Sequence, residues 1–514
     1  MPPLKDSTER TRRLAPIAMS GEEFRAAGHG LVDRIAEFLD SIPGRPLTPA
    51  EPPHGVRAAL GDGALPERGT PTAEILDQAA TLLFDHSLLS AHPRFWGYIY
   101  SPAAPIGALA DLLAAAVNPN VGAWNLSPIA SEMEAQTVRW IAELIGYPSD
   151  CGGLLVSGGN MANFVPFLAA RAAKADWDIR ASGLAAKGSP PAGGLRVYCS
   201  AETHTWIHKA ADLFGLGTDS IRWIPTDEGL RMDTAALRKQ IGEDKARGDF
   251  PFIVVGAAGS VSTGAIDPLP ELAAIAREHG MWFHVDGAYG AIAAALPDAS
   301  GDLRGLALAD SVAVDPHKWL YAPLEAGCVL VRDRKSLPRA FSHRPPYYHF
   351  PEHEGEESVN YFEYGLQNSR GFRALKVWLA LRQVGREGYV RMVADDIELS
   401  KALFAIVQKH HELEAFTQGL SITTLRYVPR GLKPGSVAVE EYLNKLNFEL
   451  LTRLQRSGET FLTNAVIRGK FVLRACFVNF HSTLADVEAL PEIVTRIGAD
   501  VDVELRPKEL KTVD

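Results

Sequence analysis

The sequence predicts an α/β fold built on a mainly parallel central sheet, with a helical N-terminal segment and a small α+β C-terminal domain. Two observations predict it. From about Leu82 to Trp378, short runs apolar on both faces alternate with helical patterns: "GLLVS" before "MANFVPFLAARAAK", "RVYCS" before "WIHKAADLF", "FIVVGAA" before "PELAAIAREHG", then "MWFHVD", "SVAV" and "GCVLV". Strands buried on both faces and separated by helices belong to a parallel sheet covered on both sides. Such sheets bind ligands at the carboxyl ends of their strands. After Gly385 the texture changes to long amphipathic helices around "SITTLRYVP" and "KFVLRACFVNF", the pattern of a smaller α+β unit. The expected division is therefore 1–81, 82–384 and 385–514.

In chain order, Ser20 and Glu23 form a capping box for a helix with Phe24, Leu31, Ile35 and Phe38 on one face, running to about Asp40. Residues 42–69 are rich in Pro and Gly and read as an extended connection. The nearly uncharged stretch from Phe95 to Ser131 carries Asp111 and is broken by Pro102, Pro105, Pro119 and Pro128, so it reads as a buried wall and not a membrane span. "SGLAAKGSPPAGG" reads as a surface loop. The chain shows no internal repeats.

Composition narrows the function. The 514 residues are 46% apolar and 22% charged, ordinary for a globular protein, and the formal charge of −10 offers no field for a phosphate backbone. A small molecule is the expected partner, with neither nucleic acid nor membrane. The N-terminus lacks the apolar core of a secretory signal, and Cys151, Cys199, Cys328 and Cys476 are far apart without a CxxC pair. Reduced thiols in a cytoplasmic protein are expected, and no metal.

Polar groups cluster at predicted strand ends. Asp286 ends "WFHVD", and Lys318, in "SVAVDPHKWLYAP", follows "SVAV" by a few residues. They are 32 residues apart, about one βαβ step, so both project from one sheet edge. Alone, Asp286 reads equally as a turn residue and Lys318 as a salt-bridged surface lysine. "LLVSGGNMANF" adds a strand, a Gly158–Gly159 turn and Asn160 opening a helix, which aims free amides and a positive dipole end at one point. "YCSAETHTW" adds His204 past another strand end. Together these groups meet the needs of pyridoxal 5′-phosphate: an amine for its aldehyde, a carboxylate for its ring nitrogen, a helix N-terminus for its phosphate and a flat side chain for its ring.

On these motifs, above all "DPHKW" preceded by "HVDGAYG", the chain resembles the group II pyridoxal-phosphate-dependent amino-acid decarboxylases of fold-type I from about Phe24 to Leu490. That family includes aromatic L-amino-acid, tyrosine, tryptophan, histidine and glutamate decarboxylases. The resemblance implies the fold-type I transferase architecture, with an N-terminal helical arm that clasps the partner of a homodimer. It implies Lys318 as the cofactor-linked lysine, Asp286 as partner of the ring nitrogen, Ala288 below the ring and His204 stacked above it. Gly159, Asn160, Asp315 and His317 fall where the family surrounds the phosphate. Asn160 stands where serine is common and Asp315 where asparagine is common; an acidic group beside a phosphate repels it. In "GSVSTG" either Ser260 or Ser262 faces the cofactor. The family's mobile catalytic loop matches "HRPPYYHFPEHEGEESVNYF", with Tyr347 aligned to the loop tyrosine and Tyr348 next to it.

"HPRFWGYIY" and "NVGAWNLSP" carry Phe95, Trp96, Tyr98, Ile99, Tyr100 and Trp124 to segments that line the substrate pocket in the family, with Tyr98 and Ile99 at its side-chain wall. Ser369, in "LQNSRGF", stands where a hydroxyl accompanies phenolic or imidazole substrates. The resemblance implies decarboxylation of an aromatic L-amino acid to its amine and CO2. The alternatives are an aldehyde synthase, an acidic-amino-acid decarboxylase, with Arg474 pairing a substrate carboxylate, a carbon–carbon lyase of the same fold, or a non-catalytic cofactor-binding protein.

Overall fold

The computed structural model describes residues 15–184, 194–346 and 358–510. Helix α1 (Gly21–Ser41) starts at the expected capping box, with Ser20 Oγ accepting from Glu23 N and Glu23 Oε2 accepting from Ser20 N. It buries none of its residues. Residues 42–69 are not simply extended, since Pro52–Pro53 starts the short helix α2 (Pro53–Leu60), proline being suited to a first helical turn. Helix α3 (Thr72–His86) packs on α1 through the stacked rings of Phe38 and Phe84, 4.0 Å apart. Helix α4 (Pro105–Val117) and helix α5 (Pro128–Leu144) occupy the expected buried wall. The wall is only half buried: Leu109, Leu112, Leu113 and Val117 of α4 are exposed.

The central sheet has seven strands: β1 (Gly152–Val156), β2 (Leu195–Ser200), β3 (Ile221–Ile224), β4 (Phe250–Ala257), β5 (Trp282–Asp286), β6 (Ser311–Val314) and β7 (Gly327–Val331). Their order is β1-β7-β6-β5-β4-β2-β3. Strands β3, β2, β4, β5 and β6 are parallel, whereas β7 is antiparallel to both neighbours. The reversal follows from the β6–β7 connection, which holds Lys318 and contains no crossover helix, the requirement for a parallel return. Helices α6 (Gly159–Lys174), α7 (Ile179–Ser182), α8 (Trp206–Leu213), α9 (Thr234–Ala246), α10 (Leu269–Glu278) and α11 (Ser336–Phe341) flank the sheet. Two apolar clusters, one on each face, account for the unbroken apolar runs.

Helix α12 (Ala374–Lys409) is broken at Gly385, whose φ of 67° lies in the left-handed region open to glycine. Beyond it an antiparallel sheet of order β10-β11-β9-β8 is built from β8 (Leu413–Gly419), β9 (Ile422–Tyr427), β10 (Thr463–Ile467) and β11 (Lys470–Cys476). Helices α13 (Val437–Ser457) and α14 (Leu484–Leu505) enclose its core. The segment around Trp96 docks on this unit: Trp96 N donates to Phe461 O, Cys476 N donates to Trp96 O, and the Trp96 indole donates to Ser482 Oγ at 2.9 Å.

Candidate functional site

Parallel strands deliver their last residues to one edge, and here β5 delivers Asp286. Both carboxylate oxygens are supplied with donors: Oδ2 accepts from the Trp206 indole at 2.8 Å and Oδ1 from Ala288 N at 3.2 Å. Trp206 opens α8 and is fully buried. Two residues earlier on β5, buried His284 is held well below the ordinary imidazole range, at about 4, because burial disfavours its charged form. It therefore bridges as a neutral ring between Ser311 Oγ and Asn163 Oδ1, each at 2.8 Å, and Asn163 Nδ2 donates to Gly159 O. This chain ties the start of α6 to the sheet.

Lys318 lies in the turn after β6, where the neighbouring side chains are anchored on both sides. Trp319 is buried and stacks on Tyr289 at 4.7 Å, and its indole donates to Asp396 Oδ2 of α12 at 2.8 Å. Tyr321 OH donates to the same oxygen at 2.5 Å. Ser101 Oγ donates to His317 O, and His317 Nδ1 lies against the Ala326 backbone, 2.6 Å from its O and 3.3 Å from its N. Lys318 is thereby carried on a fixed turn with its ammonium 3.0 Å from Asp315 Oδ2.

Strand β1 leads through Gly158, with φ 80°, into α6. The first turn of a helix leaves its amides without intrahelical acceptors and carries a positive dipole end. Gly159 is required by close approach: a Cβ there would lie 2.5 Å from Asp315 Oδ2. Asp315 is 2% exposed, and its Oδ1 has no hydrogen-bond partner among the described residues.

These groups line one cavity of about 400 Å³, which holds Gly159, Asn160, His204, Ser260, Asp286, Ala288, Asp315, His317 and Lys318 together. His204 stands at its mouth, exposed on its outer side, with its pKa lowered by burial of the ring and raised in part by Asp286. A second cavity of about 620 Å³ shares Ile99, His204, Val261 and Lys318 with it and adds Tyr98, Ser262, Phe471 and Arg474. Ser260 faces the first and Ser262 the second. Of the remaining expected residues, Trp124 and Ser369 line neither cavity: the Trp124 indole donates to Glu132 and Ser369 is exposed. Tyr347 and Tyr348 lie outside the described residues.

Sequence reading missed Trp206, although it stands two residues after His204 in "THTW"; a helix-opening tryptophan whose indole needs an acceptor was the available signal. It also missed Asp396, whose contribution depends on a contact between residues more than seventy positions apart.

The conserved domain of the pyridoxal-dependent decarboxylases matches residues 53–424. An aromatic-L-amino-acid decarboxylase of Bacillus atrophaeus is 33% identical over 94% of this chain and 96% of that protein. A phenylacetaldehyde synthase of Petunia hybrida is 29% identical over 88% of this chain and 90% of its own. The crystal structure of Oryza sativa TDC with PLP and tryptamine superposes with a TM-score of 0.87 at 26% identity, over 95% of this chain and 99% of that one.

Proposed function

The chain belongs to the pyridoxal-dependent decarboxylase family, a lyase family of amino-acid decarboxylases that use pyridoxal 5′-phosphate, and on that premise we propose that it converts an aromatic L-amino acid to its amine. The observation that carries this reading is the convergence of Lys318, Asp286 and the start of α6 on one cavity. The residues present fit the cofactor. The first turn of α6 lines that cavity through Gly159 and Asn160, Lys318 is the one cation among the described residues lining it, and Asp286 offers an anchored carboxylate.

Bound there, the cofactor supplies an electron sink for the pair left when CO2 departs. Lys318 provides the amine for its attachment, and the Asp286 carboxylate holds a proton at its ring nitrogen. The first-turn amides of α6, with Asn160 and His317, receive its phosphate. Ala288 leaves room for the ring and His204 offers a face to it. Tyr98 and Ile99 form the wall for the substrate side chain. By the resemblance of its segment to the family's, Tyr347, with Tyr348 as the alternative, is the phenol we assign to proton donation at the substrate Cα.

A homodimer is part of this proposal. It is supported by α1, which buries nothing, and by the exposed Phe24, Val32, Ile35 and Leu39 of α1 and Leu109, Leu112 and Leu113 of α4. A cytoplasmic location is supported by four buried, unpaired cysteines. Among the described residues no helix is long and apolar enough to cross a membrane. We take residues 82–384 as the cofactor-binding unit and 385–514 as the smaller unit, supported by the break at Gly385 and the separate four-stranded sheet.

A second reading, an acidic substrate, is favoured by Arg474: it is buried, its Nε and Nη2 have no partner among the described residues, and it lines the cavity of Tyr98 and Ile99. One experiment separates the readings. Free amino acids are assayed under air for CO2, amine, aldehyde and peroxide with wild type and Tyr347→Phe. We expect tyrosine, phenylalanine, tryptophan or their hydroxylated forms to exceed glutamate and aspartate in kcat/KM, because an apolar wall rejects an unpaired carboxylate. We also expect amine from wild type and a shift toward aldehyde in the variant. Preference for an acidic substrate overturns the aromatic assignment, and aldehyde from wild type overturns the amine.

A further inference from the structure

We infer that Asp315 receives the proton that Lys318 must lose before it can attach the cofactor, so that attachment exchanges a charged Lys318–Asp315 pair for a neutral acid facing the phosphate. This rests on the assignment of Lys318 as the attachment site.

The argument is one of charge. The described residues lining the smaller cavity include four carboxylates, Glu202, Asp286, Asp315 and Glu325, against the single cation Lys318; of the four, Glu325 is paired with Arg373 from outside the cavity. Among them Asp315 is the carboxylate in contact with that cation, at 3.0 Å, and its other oxygen accepts nothing. Every other titratable group around it leaves its charge uncompensated. His317 Nε2 lies 3.7 Å from Oδ2, beyond hydrogen-bond distance, and burial lowers the pKa of its ring, which disfavours the charged form. Burial likewise lowers the pKa of His204 and raises that of the Cys328 thiol on β7, and the Glu325 carboxylate near His317 has its own cation in Arg373, 2.6 Å away. An ammonium nitrogen has no lone pair, so Lys318 reacts only after giving up a proton. The nearest acceptor is Asp315 Oδ2. Transfer gives a neutral amine and a carboxylic acid. The amine then bonds to the aldehyde carbon, the carbonyl oxygen leaves as water, and a carbon–nitrogen double bond remains.

Once that nitrogen is bonded to carbon, a charged Asp315 would be a buried carboxylate with no cation, one orphaned oxygen and a phosphate dianion as neighbour. Each of those conditions disfavours the charge. As an acid it has an O–H to donate, and the repulsion of a carboxylate by phosphate disappears.

Because the proton moves within the pair, attachment draws none from solvent and sends none to it. The test uses the full chain freed of cofactor, titrated calorimetrically with pyridoxal 5′-phosphate at pH 7.5 in two buffers of different ionisation heat, for wild type and Asp315→Asn. We expect the variant to release about one proton more per cofactor bound, since its amide cannot take the lysine proton. We also expect its attachment rate, followed by absorbance from pH 6.5 to 8.5, to rise more steeply than wild type by about a decade per pH unit, the slope of free lysine amine below its pKa of about 10.4. Equal proton counts, or a wild-type slope as steep as the variant's, with the borohydride-fixed adduct on Lys318 in both proteins, overturn the role of Asp315 alone. An adduct on another residue overturns the assignment of Lys318 itself.

Discussion

Asp286 and Asp315 stand at the ends of neighbouring strands and face the same cavity, yet they are supplied in opposite ways. Asp286 takes an indole N–H and a backbone N–H, donors that cannot lose a proton under ordinary conditions. Asp315 leans on a lysine, whose proton is mobile, and keeps one oxygen empty. The first arrangement suits a carboxylate that must stay charged through a reaction. The second suits one that changes charge. Asp396, beneath the same turn, shows that donors alone do not decide the matter. It accepts from Trp319 and Tyr321, yet complete burial without a cation pushes its pKa up to about 7.

The largest effect expected from breaking this contrast comes from Asp286→Ala, which removes the carboxylate proposed as partner of the ring nitrogen. The protein should fold, bind cofactor poorly and lose roughly 10²-fold or more in kcat, about 3 kcal/mol of transition-state stabilisation. A near-normal kcat would exclude Asp286 from the chemistry.

Asp396→Asn tests the role of burial, with a smaller effect that is read in stability. Because the folded pKa is raised, the folded protein holds the Asp396 proton to higher pH than the unfolded chain does. Stability from this group is therefore present near pH 4 and falls as pH rises toward about 7. The asparagine variant lacks that fall. Its stability relative to wild type should increase from pH 4 to 7, by about 3 kcal/mol, and level off above; the comparison by denaturant midpoints cancels other titrating groups. A constant difference across the range would show that Asp396 does not titrate there.

Much of the fold was legible because strands buried on both faces leave unbroken apolar runs, and the gathering of Asp286, Lys318, His204 and Gly159 on one cavity was legible because α/β strands end on one edge. The antiparallel β7 was not, since "GCVLV" reads the same in either direction. Nor were the supports of the site. Trp206 reaches Asp286 across 80 positions and Asp396 reaches Trp319 across 77, distances at which periodicity carries no information. The exposed apolar face of α4 was read as buried because apolar character marks contact but does not say whether the contact is within one chain.

The smallest effect we expect sharpens the contrast most directly. Trp206→Phe keeps an aromatic ring of similar shape in the buried start of α8 but removes the indole N–H, leaving Asp286 with one backbone donor and one oxygen less well supplied, closer to the condition of Asp315. A hydrogen bond to a charged group contributes about 1.5–3 kcal/mol, and the bond made here is 2.8 Å long. If its purpose is to fix the carboxylate for the cofactor, the loss should appear as roughly tenfold weaker cofactor binding and a similar loss in kcat, with thermal stability less affected than function. If Trp206 is only core, stability should fall while the bound cofactor's absorbance and the kcat of saturated enzyme stay as in wild type. The double variant with Asp286→Ala distinguishes the two. A tryptophan that works through Asp286 adds nothing to the loss in kcat once the carboxylate is gone, whereas an independent one adds its full effect.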